Sequence, residues 1–478
     1  YFKTVTMEML EEGRQFALRK AQKVLFPGRY RTPAINDVPF GDPIQRCRIP
    51  RDYIMHLPGE MTVAADGHIT FDYDGASSNG YHSNNASWAC SLGNHIYTLL
   101  QDVYYDGMFN NGLEDSFTLN IPPNSCNNAS IEYACSAWAA AILSVSACVT
   151  HNLAMAYYAT GFREEGFAAK AGTMAILAGG IDQLGLPFAV MNFEMNCSGM
   201  GASYCQDGLH GCNAPWNPES NLTDSEMFEH VWPLIWLGRG IQMDGGGFGR
   251  HRGGASIESL YVIEHDVGFV ESGAIGSMDK VPVWGMMGGY PAPTRYKYAL
   301  VDTDYADRVA NMSPLPHGEG EDPANPLFAE LINGTLKRYP GQQSSDQYKR
   351  YDILHQFSAG GGGWGDPIER DPQAVADDVA LKVTSLYTAN NVYCVALDPD
   401  TLEVDFTKTE VLRKEMRKKR LGRGISVAEY KKQTREKILA NDIQPVPKST
   451  YNDCFSRSEK FLNEFKEYWN LVDEFRGF

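Results

Sequence analysis

The stretch Ser358-Ala359-Gly360-Gly361-Gly362-Gly363-Trp364-Gly365-Asp366-Pro367-Ile368-Glu369-Arg370-Asp371-Pro372 constrains this chain more than any other. Five glycines and two prolines in fifteen residues exclude the interior of a helix or a strand. A helix is expected directly afterwards, with Asp371 as N-cap, Pro372 at its first position and Val375 and Val379 on one face. Glycines before a helix start can cradle phosphate, because backbone N–H groups and the helix dipole converge there. Here no Lys-Ser/Thr pair follows the glycines, and no ribose-binding acid follows a clear βαβ unit. The stretch is therefore read as a close chain crossing where only glycine fits.

At 478 residues the chain can hold more than one domain, and 43% hydrophobic with 21% charged residues is an ordinary globular balance. A net charge of −17 argues against nucleic acid or an anionic membrane as partner. Anionic substrates must then be met by local positive groups or a metal. Ten cysteines are scattered without any Cys-x-x-Cys, which excludes a zinc ribbon and a thioredoxin motif. Reduced thiols and a cytoplasmic location are expected. The chain opens on Tyr1-Phe2-Lys3 without methionine, with a helix already under way, so an N-terminal portion is expected to be missing.

The spacing predicts a helix over 1–26, stopped at Pro27-Gly28, and one strand over Met61–Asp74. Residues 131–160 are rich in alanine and long enough to span a membrane. Ser144, Ser146, Thr150, His151 and Asn152 interrupt the run, so a buried, closely packed helix is expected and no membrane partner. Met227–Leu237 is compatible with helix or strand, and Ile257, Leu260 and Val262 suggest a strand. Residues 303–350 read as a long polar surface excursion. Beyond it come a basic helix over Thr409–Arg423, a capping box at Ser426–Glu429, and a last helix striped with Phe461, Phe465, Tyr468, Trp469 and Val472. The basic helix is taken as a solvated face or a contact for an acidic partner, and the aromatic stripe as a docking face.

The glycine stretch also resembles the closing motif of the hydantoinase B/oxoprolinase family, most closely its branch of large (alpha) subunits from ATP-dependent ketone carboxylases. The likeness extends to Gly80-Tyr81-His82-Ser83-Asn84-Asn85, Gln206-Asp207-Gly208-Leu209, Trp216-Asn217-Pro218-Glu219, Arg252-Gly253-Gly254, Gly285-Met286-Met287-Gly288-Gly289-Tyr290-Pro291 and Asp322-Pro323-Ala324-Asn325-Pro326. Helices after the glycine stretch favour the carboxylase branch over ordinary hydantoinase B chains. The resemblance implies a mixed α/β (α+β) fold. A hydantoinase B-like core would span 1–380, with β-sheets and the buried small-residue helix, followed by a helical extension over 381–478. It implies carboxylation of a ketone, such as acetone to acetoacetate, with bicarbonate activated at the expense of ATP. ATP would be used by a hydantoinase A-like beta subunit, and zinc would sit in a small gamma subunit. Manganese is expected in the large subunit, on a His-x-x-Asp type cluster with a further histidine in the missing N-terminal portion, so no metal ligand is assigned here. Rival readings are an aryl-ketone (acetophenone) carboxylase, an ATP-dependent hydantoinase or 5-oxoprolinase, and a scaffold that only docks a catalytic partner.

Such a reaction needs a base for the proton alpha to a carbonyl, and donors for the enolate oxygen. The catalytic candidates are His82, Glu194, Asp207 and His210; the substrate-binding candidates are Asn84, Asn85, Asn196 and Arg252. His82 and His210 are equally compatible with hydrogen-bonded structural histidines, and Asp207-Gly208 with a turn. Arg250-His251-Arg252 among glycines is either an anion pocket or the decoration of a β-turn. No Gly-x-Ser-x-Gly elbow occurs.

Overall fold

The computed structural model describes residues 1–38, 53–82, 84–107, 110–135, 139–169, 175–192, 197–212, 224–265, 269–275, 284–294, 296–316, 328–339 and 346–478. It is mixed α/β, as expected. The chain divides into two units: residues 1–40, 47–166 and 417–478 form the first, and 41–46 with 167–416 form the second.

The first unit opens with α1 (Phe2–Val24), which ends three residues before Pro27. Then come β1 (Gly28–Arg31), β2 (Ala34–Val38), β3 (Tyr53–Leu57), β4 (Glu60–Val63), β5 (Ile69–Asp72), α2 (Trp88–Asp102), β6 (Phe117–Asn120) and α3 (Ala139–Thr160). The single strand expected over 61–74 is instead the antiparallel hairpin β4–β5, with Gly67 in its turn at a φ of 86°. One sheet runs β1-β4-β5-β6, with β5 and β6 parallel, and β2 pairs with β3. α3 starts later than the spacing predicts and is buried along residues 141–150. Its small side chains let the backbone of other elements approach. Cys148 Sγ donates to Thr32 O at 2.7 Å and Asn152 Nδ2 to Gly59 O at 2.9 Å. Val145, Val149 and Leu153 join Phe71, Leu57 and Met61 in the core, where each buried aliphatic side chain contributes roughly 1.5–3 kcal/mol. Among the described residues no helix is long and apolar enough to cross a membrane.

The second unit contains β7 (Ala175–Ile181), β8 (Pro187–Asn192), α4 (Ser225–Val231), β9 (Leu234–Ile241), β10 (Ile257–Ile263), β11 (Phe269–Ile275), β12 (Tyr296–Val301), α5 (Tyr305–Ala310), α6 (Phe328–Leu331), β13 (Thr335–Tyr339), β14 (Asp346–Tyr348) and β15 (Ile353–Phe357). Two antiparallel sheets result, β13-β12-β15-β10-β9 and β14-β11-β7-β8. The ambiguous stretch 227–237 is both forms in turn, α4 and then the start of β9. The expected polar excursion over 303–350 is corrected too: β13 and β14 lie in it and each extends a sheet edge. Edge strands need bury only part of their length, so their polar sequences hide them. β10 is buried at all seven positions. Leu260 and Val262 pack with Tyr298, Ile353 and Phe357, while Tyr261 and Ile263 pack with Ala299 and Leu354.

After the glycine stretch, α7 (Pro372–Ala380) begins as its sequence predicts, with Asp371 Oδ1 accepting from Gln373 N at 3.1 Å. α8 (Leu386–Asn391) and α9 (Phe406–Arg423) follow, and the boundary between units falls within α9. The chain returns to the first unit with α10 (Val427–Leu439), α11 (Pro445–Arg457) and α12 (Glu459–Trp469). Ser426 Oγ accepts from Glu429 N at 3.1 Å, so the capping serine acts as expected. The aromatic stripe turns inward in part: Phe461 and Phe465 pack on Phe455, with ring centroids at 5.8 and 5.0 Å.

Candidate functional site

The glycine stretch is the crossing point of the second unit. Gly361 N donates to Gly254 O, Gly247 N to Gly361 O, Gly254 N to Met200 O and Gly363 N to Tyr290 O, all at 2.8–3.0 Å. A Cβ on Gly361 would stand 2.1 Å from Met200 O, and one on Gly253 1.9 Å from Gly361 O. No side chain fits at either place. The glycines serve backbone approach, as the crossing reading requires, and the N–H groups of Gly361, Gly362, Gly363 and Gly365 are spent on carbonyls rather than held open for phosphate.

What the crossing positions is a lattice of charge, buried at Arg370 and Asp378 and half-buried at Asp207 and Arg252. Arg370, 3% exposed, donates from Nη1 to Asp207 Oδ1 at 2.7 Å and from Nη2 to Asp207 Oδ2 at 2.6 Å. Its Nη2 also reaches Asp378 Oδ2 at 2.7 Å. Arg252 Nε donates to Asp378 Oδ1 at 3.0 Å, and Arg252 N to Asp207 Oδ1 at 2.9 Å. Each element supplies its part: the loop after the glycines brings Arg370, α7 brings Asp378, and the Arg250–Gly254 loop brings Arg252. That loop is pinned by the reciprocal backbone bonds of His251 and Trp364, at 3.0 and 2.9 Å. Tyr393 lies under the Arg370 guanidinium at 5.9 Å, and Arg413 Nη2 donates to Arg370 O at 2.6 Å.

Burial alone would push the Asp207 carboxyl up. Hydrogen bonds and charge from Arg370, then the charge and backbone N–H of Arg252, outweigh it and hold that carboxyl below its ordinary range. Burial and the Arg252 charge depress His210 to about 4. His210 Nδ1 accepts the Ala255 N–H at 2.9 Å, so the neutral ring carries its proton on Nε2. His210 is thereby a hydrogen-bond donor at neutral pH and a poor base. His251 is also lowered, by burial and by Arg250 and Arg370, despite Asp207 at 3.7 Å. Among the described residues none accepts from Arg252 Nη1, although that atom is buried.

Of the sequence candidates, Asp207, His210 and Arg252 gather in this lattice. His82, Asn84 and Asn85 belong to the first unit, in the loop before α2. Asn85 Nδ2 donates to Gly80 O, His82 O and Ala134 O at 2.6–3.0 Å, and its Oδ1 accepts from Gly80 N at 3.0 Å. Its amide thus shapes the loop around His82. Burial lowers His82 to about 4. Asn84 is fully buried. Glu194 and Asn196 lie outside the described residues, as do 216–219 and 322–326. Sequence reasoning missed Arg370, Asp378 and Tyr393. One signal was present, since Arg370 is the single cation of the glycine stretch and stands next to its helix cap.

The donor set does not fit manganese. Asp207 and Asp378 are both engaged by guanidinium groups, which compete for the oxygens a hard cation would need. Among the described residues no three His, Cys, Asp or Glu side chains gather as a metal set.

The hydantoinase B/oxoprolinase family model matches residues 17–367. The chain belongs to that family. It is 32% identical to the acetone carboxylase alpha subunit of Xanthobacter autotrophicus (strain Py2) over 98% of this chain and 61% of that subunit. It is 26% identical to the acetophenone carboxylase delta subunit of Aromatoleum aromaticum over 74% of this chain and 51% of the relative. Among solved structures, nucleotide-free acetone carboxylase superposes with a TM-score of 0.89 at 31% identity, covering 97% of this chain and 62% of that one. The chain thus spans about three-fifths of the acetone carboxylase subunit it resembles.

Proposed function

We propose that this chain is the large-subunit component of an ATP-dependent ketone carboxylase, with acetone the first candidate substrate and acetoacetate its product. The supporting observation is the reach of the likeness. The family model ends at residue 367, yet similarity to acetone carboxylase continues over 97–98% of the chain and so through the C-terminal helices. An acetophenone-type substrate is the second reading, supported by a match over a smaller share of the chain.

In this reading a base removes a proton alpha to the ketone carbonyl. ATP converts bicarbonate to carboxyphosphate, and the enolate carbon attacks the CO₂ released, forming the new C–C bond. The His210 Nε2–H and the Arg252 guanidinium hold the negative oxygen that develops, in a half-buried site. Asp207, Arg370 and Asp378 position them and balance their charge. Glu194 remains the candidate for the base and Asn196 for a substrate contact. A hydantoinase A-like subunit using ATP, a small zinc-bearing subunit, a manganese centre built from residues other than the Asp207 lattice and a cytoplasmic location complete the proposal. The test is consumption of acetone, acetophenone and hydantoin by the assembled complex, with and without ATP and bicarbonate. Ketone loss that needs both supports the reading; hydantoin hydrolysis without bicarbonate refutes it. A scaffold would assemble normally and lose no activity when His210 is replaced.

A further inference from the structure

The first unit holds a cavity of about 830 Å³ that the carboxylation reading does not use. β1 and β3 form one side of it, and α10, α11 and α12 the other. Its walls are aromatic and cationic together: Phe461, Tyr468 and Trp469, with Arg31, Lys431 and His56. That volume lies within the range of small-molecule sites.

The charges are arranged unevenly. Glu464 is clamped by Arg29 Nη2 at 2.7 Å and Arg31 Nη1 at 2.5 Å, and Arg29 also holds Glu60. These four charges balance among themselves. Lys431 stands apart: its Nζ lies 3.8 Å from the Tyr468 ring centroid, and no carboxylate among the described residues pairs with it. Glu467 also lines the cavity but is exposed to solvent. The Arg31 guanidinium lies 5.8 Å over Phe461, so two aromatic faces already carry cations. A ligand cation would be repelled there, whereas an anion meets Lys431 directly. Trp469 is only partly buried, leaving aromatic surface for a flat apolar body. His56 faces the same space, with its ring centroid 5.2 Å from that of Phe461 and its Nδ1 3.7 Å from Cys454 Sγ. Burial and Arg31 lower His56 to about 4, so it adds polarity without charge at neutral pH.

We propose that this cavity binds a small aromatic carboxylate, with its ring against Trp469 and its carboxylate on Lys431. The site is independent of the carboxylation reading, because the second unit's lattice contributes none of its walls.

The probe is benzoate, titrated into the full chain by calorimetry and checked by saturation-transfer NMR. Acetate supplies the charge without the ring, benzyl alcohol the ring without the charge, and benzylamine the opposite charge. Benzoate is expected to bind, with acetate and benzyl alcohol each weaker by roughly tenfold or more. Lys431→Gln should weaken benzoate roughly tenfold while the unfolding temperature holds, since Lys431 makes no ion pair that folding needs. Trp469→Leu should weaken benzoate and leave acetate unchanged. The proposal is overturned if benzyl alcohol matches benzoate, if benzylamine binds more tightly, or if Lys431→Gln changes nothing. It is equally overturned if neither the chain nor its assembled complex binds benzoate. None of these results bears on whether the complex carboxylates ketones.

Discussion

Arg370 grips both carboxylate oxygens of Asp207, at 2.7 and 2.6 Å, across 163 residues of sequence. The pair ties the glycine crossing to the loop that carries His210. A bidentate fork fixes orientation as well as distance, so the imidazole is placed by electrostatics rather than by its own loop alone.

Removing the guanidinium should therefore cost stability first. Arg370→Met takes the bidentate partner from Asp207 and leaves Arg252 to balance both Asp207 and Asp378, a loss of about 3 kcal/mol. Asp207→Asn combined with Arg370→Met should cost less than the sum of the two single changes. Chemical denaturation of the four proteins measures the coupling, and strict additivity would contradict the lattice.

The glycine crossing makes a sharper stability claim. Gly361→Ala forces a methyl to within 2.1 Å of Met200 O, a backbone atom that cannot step aside, so overpacking of about 1–3 kcal/mol or outright failure to fold is expected. Gly93→Ala, inside α2 with nothing within 4 Å, should instead gain about 0.5–1 kcal/mol. Unfolding temperatures of the two variants should move in opposite directions.

Acid should destabilise the fold before its carboxylates titrate. His56, His82, His95 and His210 are each held at about 4 in the native state, against an ordinary 6.5, chiefly by burial. The unfolded chain binds the extra protons between those values, so stability is greatest above pH 6.5 and declines as pH falls toward 4. Asp207 has the opposite type of group but the same direction. Its lowered pKa adds stability above the ordinary carboxylate value that is lost only as pH falls below it. Proton uptake on unfolding near pH 5 should be roughly four or more, since His151 and His251 are lowered too, and His95→Gln should remove about one. Uptake near zero would mean these rings are solvated.

Much of this was legible in the sequence where the physics is local. The caps at Asp371 and Ser426, the end of α1 before Pro27, and the meaning of the glycine run all follow from backbone chemistry within a few residues. The edge strands β13 and β14 were not, because they are polar and owe their form to a neighbouring strand. Arg370, Asp378 and Tyr393 were missed for a related reason. Their roles arise from pairings over long sequence separations, which no spacing rule encodes. One long-range bond, Ala255 N to Nδ1, makes His210 a donor rather than a base.

That bond sets the catalytic prediction. If Nε2–H donates to a developing oxyanion, His210→Ala should lower kcat roughly a hundredfold with little change in KM, and His210→Asn should restore part of the loss. A pH–rate profile whose acid limb survives in His210→Ala fits a donor; its disappearance would make His210 the base. Arg252→Lys should raise KM for bicarbonate or lower kcat, because lysine cannot keep the Nε contact to Asp378 while offering a second donor.

The most direct test of the central claim is incorporation of isotopically labelled bicarbonate by the assembled complex. With ATP and acetone or acetophenone present, label is expected in the carboxylate of the corresponding 3-oxo acid, and none without ATP. Hydrolysis of a cyclic amide with no label fixed would contradict the carboxylase account and leave only the family's shared fold.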